Sequence, residues 1–244
     1  MQLSLLTTYR KRESHLKTQI DWWRKQFDQG FFQNCEVLLI EVDEVPLLDV
    51  IAMIGDLPIR YIHCDCPGVF HKTKALNLGL SMAQGQWIVP FDVDLIPIDN
   101  TLLRHLELAI ASPKLLVSGY RVMSSLETVD VNLLKEVLDN CTIAPEDMPT
   151  ALWKHLVRHE KFGVVPFFQR SRLNEIGGWD EQFIGWGAED QDLIERYIQG
   201  KYTLCRCSEL VYLHLFHEHD AKWNESLLVD KNRNYYYQKL GNQV

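Results

Sequence analysis

Over the first 91 residues, short apolar runs alternate with segments of helical period, and nothing else in the chain restricts its fold as strongly. The runs are Leu3–Thr7, Glu36–Val42, Ile59–Cys64 and Trp87–Phe91. Each has the length of a buried strand. Between them, Leu16, Ile20, Trp23 and Phe27 recur at helical spacing and end near Gly30, and Pro46–Ile54 reads as a short helix. Apolar positions 75, 76, 80 and 83 mark a further helix over Lys72–Ala83, stopped by Gly85. Strands and helices in this order predict an α/β fold with a mostly parallel central sheet flanked by helices. Ligands of such sheets bind beyond the carboxyl ends of the strands. Arg10 and Arg12 follow one such end, and Asp92 and Asp94 follow another.

The second half is less regular. Asp99 is expected to cap a helix carrying Leu103, Leu106 and Ile110, and residues 130–161 read as one or two helices broken at 145–149. Val164–Gln169 returns to strand character. A glycine-dense loop (Gly177, Gly178, Gly185, Gly187) precedes a helix at about 189–199, and Val211–Leu215 reads as a last strand before a His-rich loop and a polar, Tyr-rich tail. With no internal repeat and no low-complexity linker, the expectation is one domain over 1–244, its halves meeting near residue 98.

Composition narrows the class. The 244 residues are 46% hydrophobic, which excludes intrinsic disorder. Twenty-five basic against 33 acidic side chains give a net charge of −8, so a general nucleic-acid coat is not expected. No apolar run nears the roughly 18 residues that span a bilayer. Met1–Thr8 lacks the basic-then-apolar order of a signal peptide, so a cytoplasmic protein is expected. The pairs Cys64/Cys66 and Cys205/Cys207 are spaced more tightly than structural zinc ligands, which favours reduced, buried thiols.

The residues that carry chemistry cluster at the expected ligand edge. Trp87-Ile-Val-Pro-Phe91 runs straight into Asp92-Val93-Asp94, where a pair of carboxylates suits a hard divalent cation that keeps positions open for phosphate. His214, His217 and His219 could complete a mixed oxygen–nitrogen site. Arg10 and Arg12 offer guanidinium forks to a diphosphate. In Gly185-Trp-Gly-Ala-Glu-Asp-Gln-Asp192, the tryptophan suits stacking on a sugar ring, and one of the acids suits a general base acting on a hydroxyl. Gly185 and Gly187 read as hinges that let Trp186 close over bound ligands.

Four blocks carry a resemblance across most of the chain: Tyr9-Arg-Lys-Arg-Glu-Ser-His-Leu16, Phe70-His-Lys-Thr-Lys-Ala-Leu-Asn-Leu-Gly79, Phe91-Asp-Val-Asp-Leu-Ile-Pro97 and Gly185-Trp-Gly-Ala-Glu-Asp-Gln-Asp192. In these the chain resembles GT-A-fold glycosyltransferases, in particular the β-1,4-galactosyltransferase type and family 2 relatives with a galactosyltransferase-like C-terminal half. The resemblance implies a UDP-sugar donor and Mn²⁺ or Mg²⁺. It implies donor contacts at Arg10, Arg12, Phe70, Lys72, Asp92 and Asp94, and metal ligation by Asp94 and by His217, with His214 where animal enzymes carry a Met ligand. It implies acceptor contacts at Trp186, Gly187 and Glu189, with Asp190 as the catalytic base. Related retaining transferases carry an amide at the position of Asp190, so a carboxylate there implies inversion.

Thr8 and Lys11 depart from the family pattern, and the stretch 120–163 matches none of it. The implied setting is bacterial polysaccharide synthesis in the cytoplasm or at the inner membrane face, on a glycan or lipid-linked saccharide acceptor. Two other readings stand beside it. One is a sugar-nucleotide pyrophosphorylase, disfavoured because Thr7-Thr8-Tyr9 has no glycine. The other is a catalytically inactive glycan-binding scaffold on the same fold.

Overall fold

The computed structural model describes residues 1–30, 33–144, 148, 165–218 and 226–241. Its first sheet is built from β1 (Leu3–Tyr9), β2 (Cys35–Asp43), β3 (Ile59–Asp65), β4 (Trp87–Pro90) and β8 (Phe168–Gln169), in the order β3-β2-β1-β4-β8. The first four strands are mutually parallel, and β8 joins the edge antiparallel to β4. The helices α1 (Glu13–Asp28), α2 (Leu48–Ile54) and α3 (Lys72–Met82) are the crossovers between those parallel strands.

Both faces of this sheet are covered. Leu3, Leu5, Val37, Leu39 and Val89 pack against α1 and α2, while Leu6, Leu38, Ile40 and Ile88 pack on the other side with α3. Burial on both faces is why β1, β2 and β4 carry adjacent apolar residues, as in Leu5-Leu6, Val37–Ile40 and Trp87–Val89, rather than a strict alternation. Gly85 is required where the chain leaves α3, because a Cβ there would lie 2.5 Å from the backbone nitrogen of Ser4.

A second sheet, in the order β5-β9-β6-β7, uses β5 (Leu95–Pro97), β6 (Leu115–Met123), β7 (Thr142–Ile143) and β9 (Thr203–His214). Its centre is the long parallel pair β6–β9, with a register shift between Ser118 and Tyr120. There a side chain on Gly119 would meet the Leu210 carbonyl at 2.5 Å. The remaining helices are α4 (Thr101–Ala111), α5 (Leu134–Leu138), α6 (Arg170–Glu175), α7 (Glu189–Ile198) and α8 (Ser226–Gly241).

The sheet pairing places the ligand edge. β5 begins directly after Asp94 and runs antiparallel to the end of β9, with Leu95 opposite His214. The Leu215 amide donates to the Asp94 carbonyl at 2.8 Å. Two segments distant in sequence, at Asp94-Leu95 and His214-Leu215, are thereby fixed side by side.

Several expectations are corrected. The N-cap of α4 is Asn100, with no side-chain capping bond, whereas Asp99 has φ 48° and its carboxylate lies 3.7 Å from Lys135. The last strand starts at Thr203 rather than Val211. Residues 115–123, unassigned from sequence, form β6, and the polar tail contains α8. Of the helices expected over 130–161, α5 is described, and the rest of that stretch beyond Ile143 and Ala144 lies largely outside the described residues. No helix among the described residues is long and apolar enough to cross a membrane.

Candidate active site

The turn Asp92-Val93-Asp94 leaves β geometry between β4 and β5, and the two carboxylates take different partners. Asp94 is almost fully buried. Its Oδ2 lies 2.5 Å from Arg12 Nη1 and 3.3 Å from His217 Nε2, and its Oδ1 lies 3.7 Å from His214 Nε2. Arg12 Nη2 also reaches His217 Nδ1 at 3.3 Å. Asp94, His214 and His217 each offer a ligand atom within 4.8 Å of the others.

Burial opposes charge on Asp94, but His214, His217 and Arg12 outweigh it and hold the carboxyl well below the usual carboxylate range. Burial lowers His214 and outweighs the opposing pull of Asp94, a direction that favours the neutral imidazole that ligation needs. His219, the third histidine of the loop, lies outside the described residues.

Asp92 instead pairs with Lys72, at 2.9 Å from Oδ1 and 3.3 Å from Oδ2. Burial opposes the Lys72 charge, and Asp92, Asp190 and Glu189 outweigh it, raising its pKa above the ordinary lysine value. Lys72 therefore links the Asp92 turn electrostatically to the acids at the start of α7.

Arg10 is committed elsewhere. Its Nη1 and Nη2 donate to the carbonyls of Gly68 at 2.7 Å and Cys66 at 2.6 Å, and its Nε donates to Val42. Its guanidinium sits 5.6 Å from the Phe70 ring centroid. Sequence alone offers this residue to a diphosphate; the fold gives it the loop after β3 to hold.

The loop ahead of α7 wraps across the N-terminal end of α3. Gly185 N donates to the Phe70 carbonyl at 3.1 Å, Thr73 Oγ1 donates to the Phe183 carbonyl at 3.0 Å, and Asn77 Nδ2 donates to the Trp179 carbonyl at 2.8 Å. Trp186 is 54% exposed on this loop. Gly187 adopts φ 117° and donates its amide to Glu189 Oε2 at 2.9 Å, and Ala188 enters the helix in the left-handed region. The loop that reads as hinged from its glycines is thus pinned along its backbone, with the Trp186 side chain left outside.

The acids behind it differ in environment. Asp192 is turned inward to Arg196 and Lys239, at 2.8 and 2.5 Å. Asp190 is half-buried. Glu189 is buried, and burial, then the charge of Asp190, pushes its carboxyl up to about 7.

A carboxyl raised in this way carries a sign. The folded state keeps a proton on Glu189 that the unfolded chain releases near its ordinary value, so deprotonation favours unfolding and stability falls as pH rises through about 7. Glu189→Gln removes that dependence. Urea unfolding at pH 5 and pH 8 is expected to show the variant gaining on the wild type at the higher pH; an equal difference at both would remove the assigned shift.

Polar residues with no motif of their own hold the site in place. Gln19, fully buried on α1, donates from its amide Nε2 to the carbonyls of Asp92 at 3.0 Å and Leu95 at 3.2 Å. One turn earlier, His15 Nε2 bonds the Phe216 carbonyl at 2.8 Å, next to His217. Their signal in the sequence is slight: two polar residues on the face that also carries Leu16, Ile20 and Trp23.

A family model described as glycosyl transferase family 2 matches residues 8–183. The chain belongs to glycosyl transferase family 2. A second model, described as the N-terminal domain of galactosyltransferase, matches residues 151–219 of this family 2 chain. No curated protein matches it. Among solved structures, TarS of S. aureus is similar with a TM-score of 0.62 at 12% identity, covering 88% of this chain and 37% of TarS. The structure of TarS 1-349 gives 0.61 at 14% identity, covering 88% of this chain and 60% of that one. The family 2 chain therefore spans less than two thirds of the length of these structures. At such identities the likeness is one of fold, the GT-A arrangement of a mostly parallel sheet flanked by helices.

Proposed function

We propose that this family 2 chain is an inverting, metal-dependent glycosyltransferase. It moves a hexose or N-acetylhexosamine from a UDP-sugar to a hydroxyl of a glycan or lipid-linked saccharide. The observation that carries this reading is the meeting of Asp94, His214 and His217 beside the linked pairs Lys72–Asp92 and Glu189–Asp190.

The residues fit a divalent cation. Asp94 Oδ1 and His214 Nδ1 are buried with no hydrogen-bond partner among the described residues, and the oxygen–nitrogen donor set suits Mn²⁺, with Mg²⁺ tolerated. Asp94, His214 and His217 would hold the ion. When bound, it supplies positive charge to the departing diphosphate.

The chain's own groups supply the rest. Arg12 and Lys72 bring positive charge to the donor side, Asp92 holds Lys72 and faces the ribose and sugar, and Phe70 lines the nucleotide wall. Arg10 serves the donor by fixing the carbonyls of Val42, Cys66 and Gly68, which shapes that wall. Across the crevice, Trp186 offers its face to the acceptor sugar, with Gly187 and Glu189 beside it. An Asp190 carboxylate oxygen takes the acceptor hydroxyl's proton while the hydroxyl oxygen bonds to the anomeric carbon and the bond from that carbon to the departing UDP, in line behind it, breaks. A nucleophile activated on one face and a leaving group neutralised on the other act on one transition state and invert the centre.

On this reading residues 1–98 form the nucleotide half and 99–244 the acceptor and catalytic half of one domain. The work belongs to polysaccharide synthesis in the cytoplasm, with peripheral association at the inner membrane face where the acceptor is lipid-linked.

Calorimetric titration of UDP tests the donor side. Binding in Mn²⁺ is expected to weaken at least tenfold in EDTA. Equal affinity in both, or no binding, would remove the metal-dependent mechanism.

A further inference from the structure

α8 lies beyond both family matches, which end at residues 183 and 219, yet it is built onto the proposed acceptor loop. Asn232 is 2% exposed and donates from its single amide nitrogen to two backbone carbonyls, Ile184 at 2.9 Å and Trp186 at 3.1 Å. These carbonyls flank Gly185, whose own amide is tied to Phe70 on the donor side. One turn before Asn232, Val229 lies against Gly187, 3.6 Å from where a Cβ would sit.

Further along the same face, Tyr235 donates its hydroxyl to Asp180 Oδ2 at 2.9 Å and its ring stands 5.1 Å from that of Phe183. Lys239 bridges Asp180 at 2.7 Å and Asp192 at 2.5 Å, joining the front of the loop to the first turn of α7. Apart from the Val229 and Phe183 contacts these are directional polar bonds, and every one of them falls between residues 180 and 192. A helix seated only to cover apolar surface would have no need of them.

We infer that α8 is the element that positions the acceptor loop, with Asn232 as the positioning residue that fixes the backbone on both sides of Gly185 and so sets where Trp186 and Asp190 stand relative to the donor. The inference rests on the acceptor role proposed for that loop. The Asn232 amide suits the task because both of its hydrogens are used and neither carbonyl is left without a donor. An aspartate of the same shape turns oxygen towards two carbonyl oxygens and reverses the interaction without altering the volume.

The test compares wild type with Asn232→Asp by hydrogen exchange over residues 184–189, by calorimetric titration of UDP with Mn²⁺, and by steady-state turnover of a UDP-hexose to UDP with water as acceptor. Exchange in the loop is expected to quicken at least tenfold and kcat to fall at least tenfold. The donor KM, the UDP affinity and the number of UDP sites titrated per chain should stay unchanged within twofold, and exchange in β1 and β2 should not quicken; general loss of stability would lower the number of sites and quicken exchange throughout. Lys239→Met, at a partly exposed position, examines the other end of the clamp should the buried aspartate prevent folding, and the same pattern is expected of it.

Unchanged exchange, or a loosened loop with unchanged kcat, would overturn the positioning role alone. Absence of UDP binding in the wild type would overturn the reading beneath it, and the positioning role with it.

Discussion

Asp190→Asn is expected to bind UDP and Mn²⁺ within about twofold of wild type and to lose glycosyl transfer by on the order of a thousandfold, within the range for removal of a general base. The amide keeps the shape of the side chain at the first turn of α7 and removes its ability to accept the hydroxyl proton. The contrast with Glu189 sharpens the expectation. Glu189 is buried, bonded to the Gly187 amide and raised to about 7, with part of that rise coming from the charge on Asp190. Two adjacent acids with environments this different divide the roles between them. The same substitution should therefore also lower the Glu189 carboxyl towards its ordinary value, which a pH titration followed by carboxyl NMR would register. Transfer at the wild-type rate in Asp190→Asn would take the base assignment away.

The second large effect belongs to Asp94. Asp94→Asn keeps the size of the side chain and removes the charge on which Arg12, His214 and His217 converge. Mn²⁺-dependent UDP binding should weaken by about 100-fold or more, since even groups one layer behind a metal ligand cost 10- to 100-fold when changed. Calorimetry in Mn²⁺ and in EDTA measures this directly: the wild-type difference between the two should vanish in the variant. A variant that still binds UDP better in Mn²⁺ than in EDTA would place the ion elsewhere.

How far the sequence discloses the fold differs between the two halves for a physical reason. In the first, Leu5 and Leu6 point to opposite faces of a sheet covered on both sides, so every position of β1 is buried and leucines at 3, 5 and 6 mark the strand. In the second, β6 runs through Ser118-Gly-Tyr-Arg121 and β9 starts Thr-Leu-Cys-Arg-Cys-Ser, mixed segments whose pairing depends on each other rather than on a local pattern. α8 is hidden likewise, because Asn232 and Lys239 hold it through polar bonds that no hydrophobic period announces.

The candidate site divides along the same line. Residues contiguous in the chain, such as Asp92-Val-Asp94 and Gly185-Trp-Gly187, are visible as blocks. The commitment of Arg10 to three carbonyls, and the support given by Gln19 and His15, depend on which backbone atoms the fold leaves nearby. Sequence presents Asp92 and Asp94 as a pair; only the turn between β4 and β5 shows them facing separate partners.

The two bonds from α1 have a consequence for precision. Gln19 grips the turn that bears Asp94, and His15, four residues earlier on the same helix, grips the carbonyl next to His217. When thermal motion shifts α1, both sides of the proposed ion site shift with it, in common mode. What a ligand cage must conserve is the separation between its arms rather than their address in the molecule, and a single rigid rod shared by both arms filters out the motion that would change it.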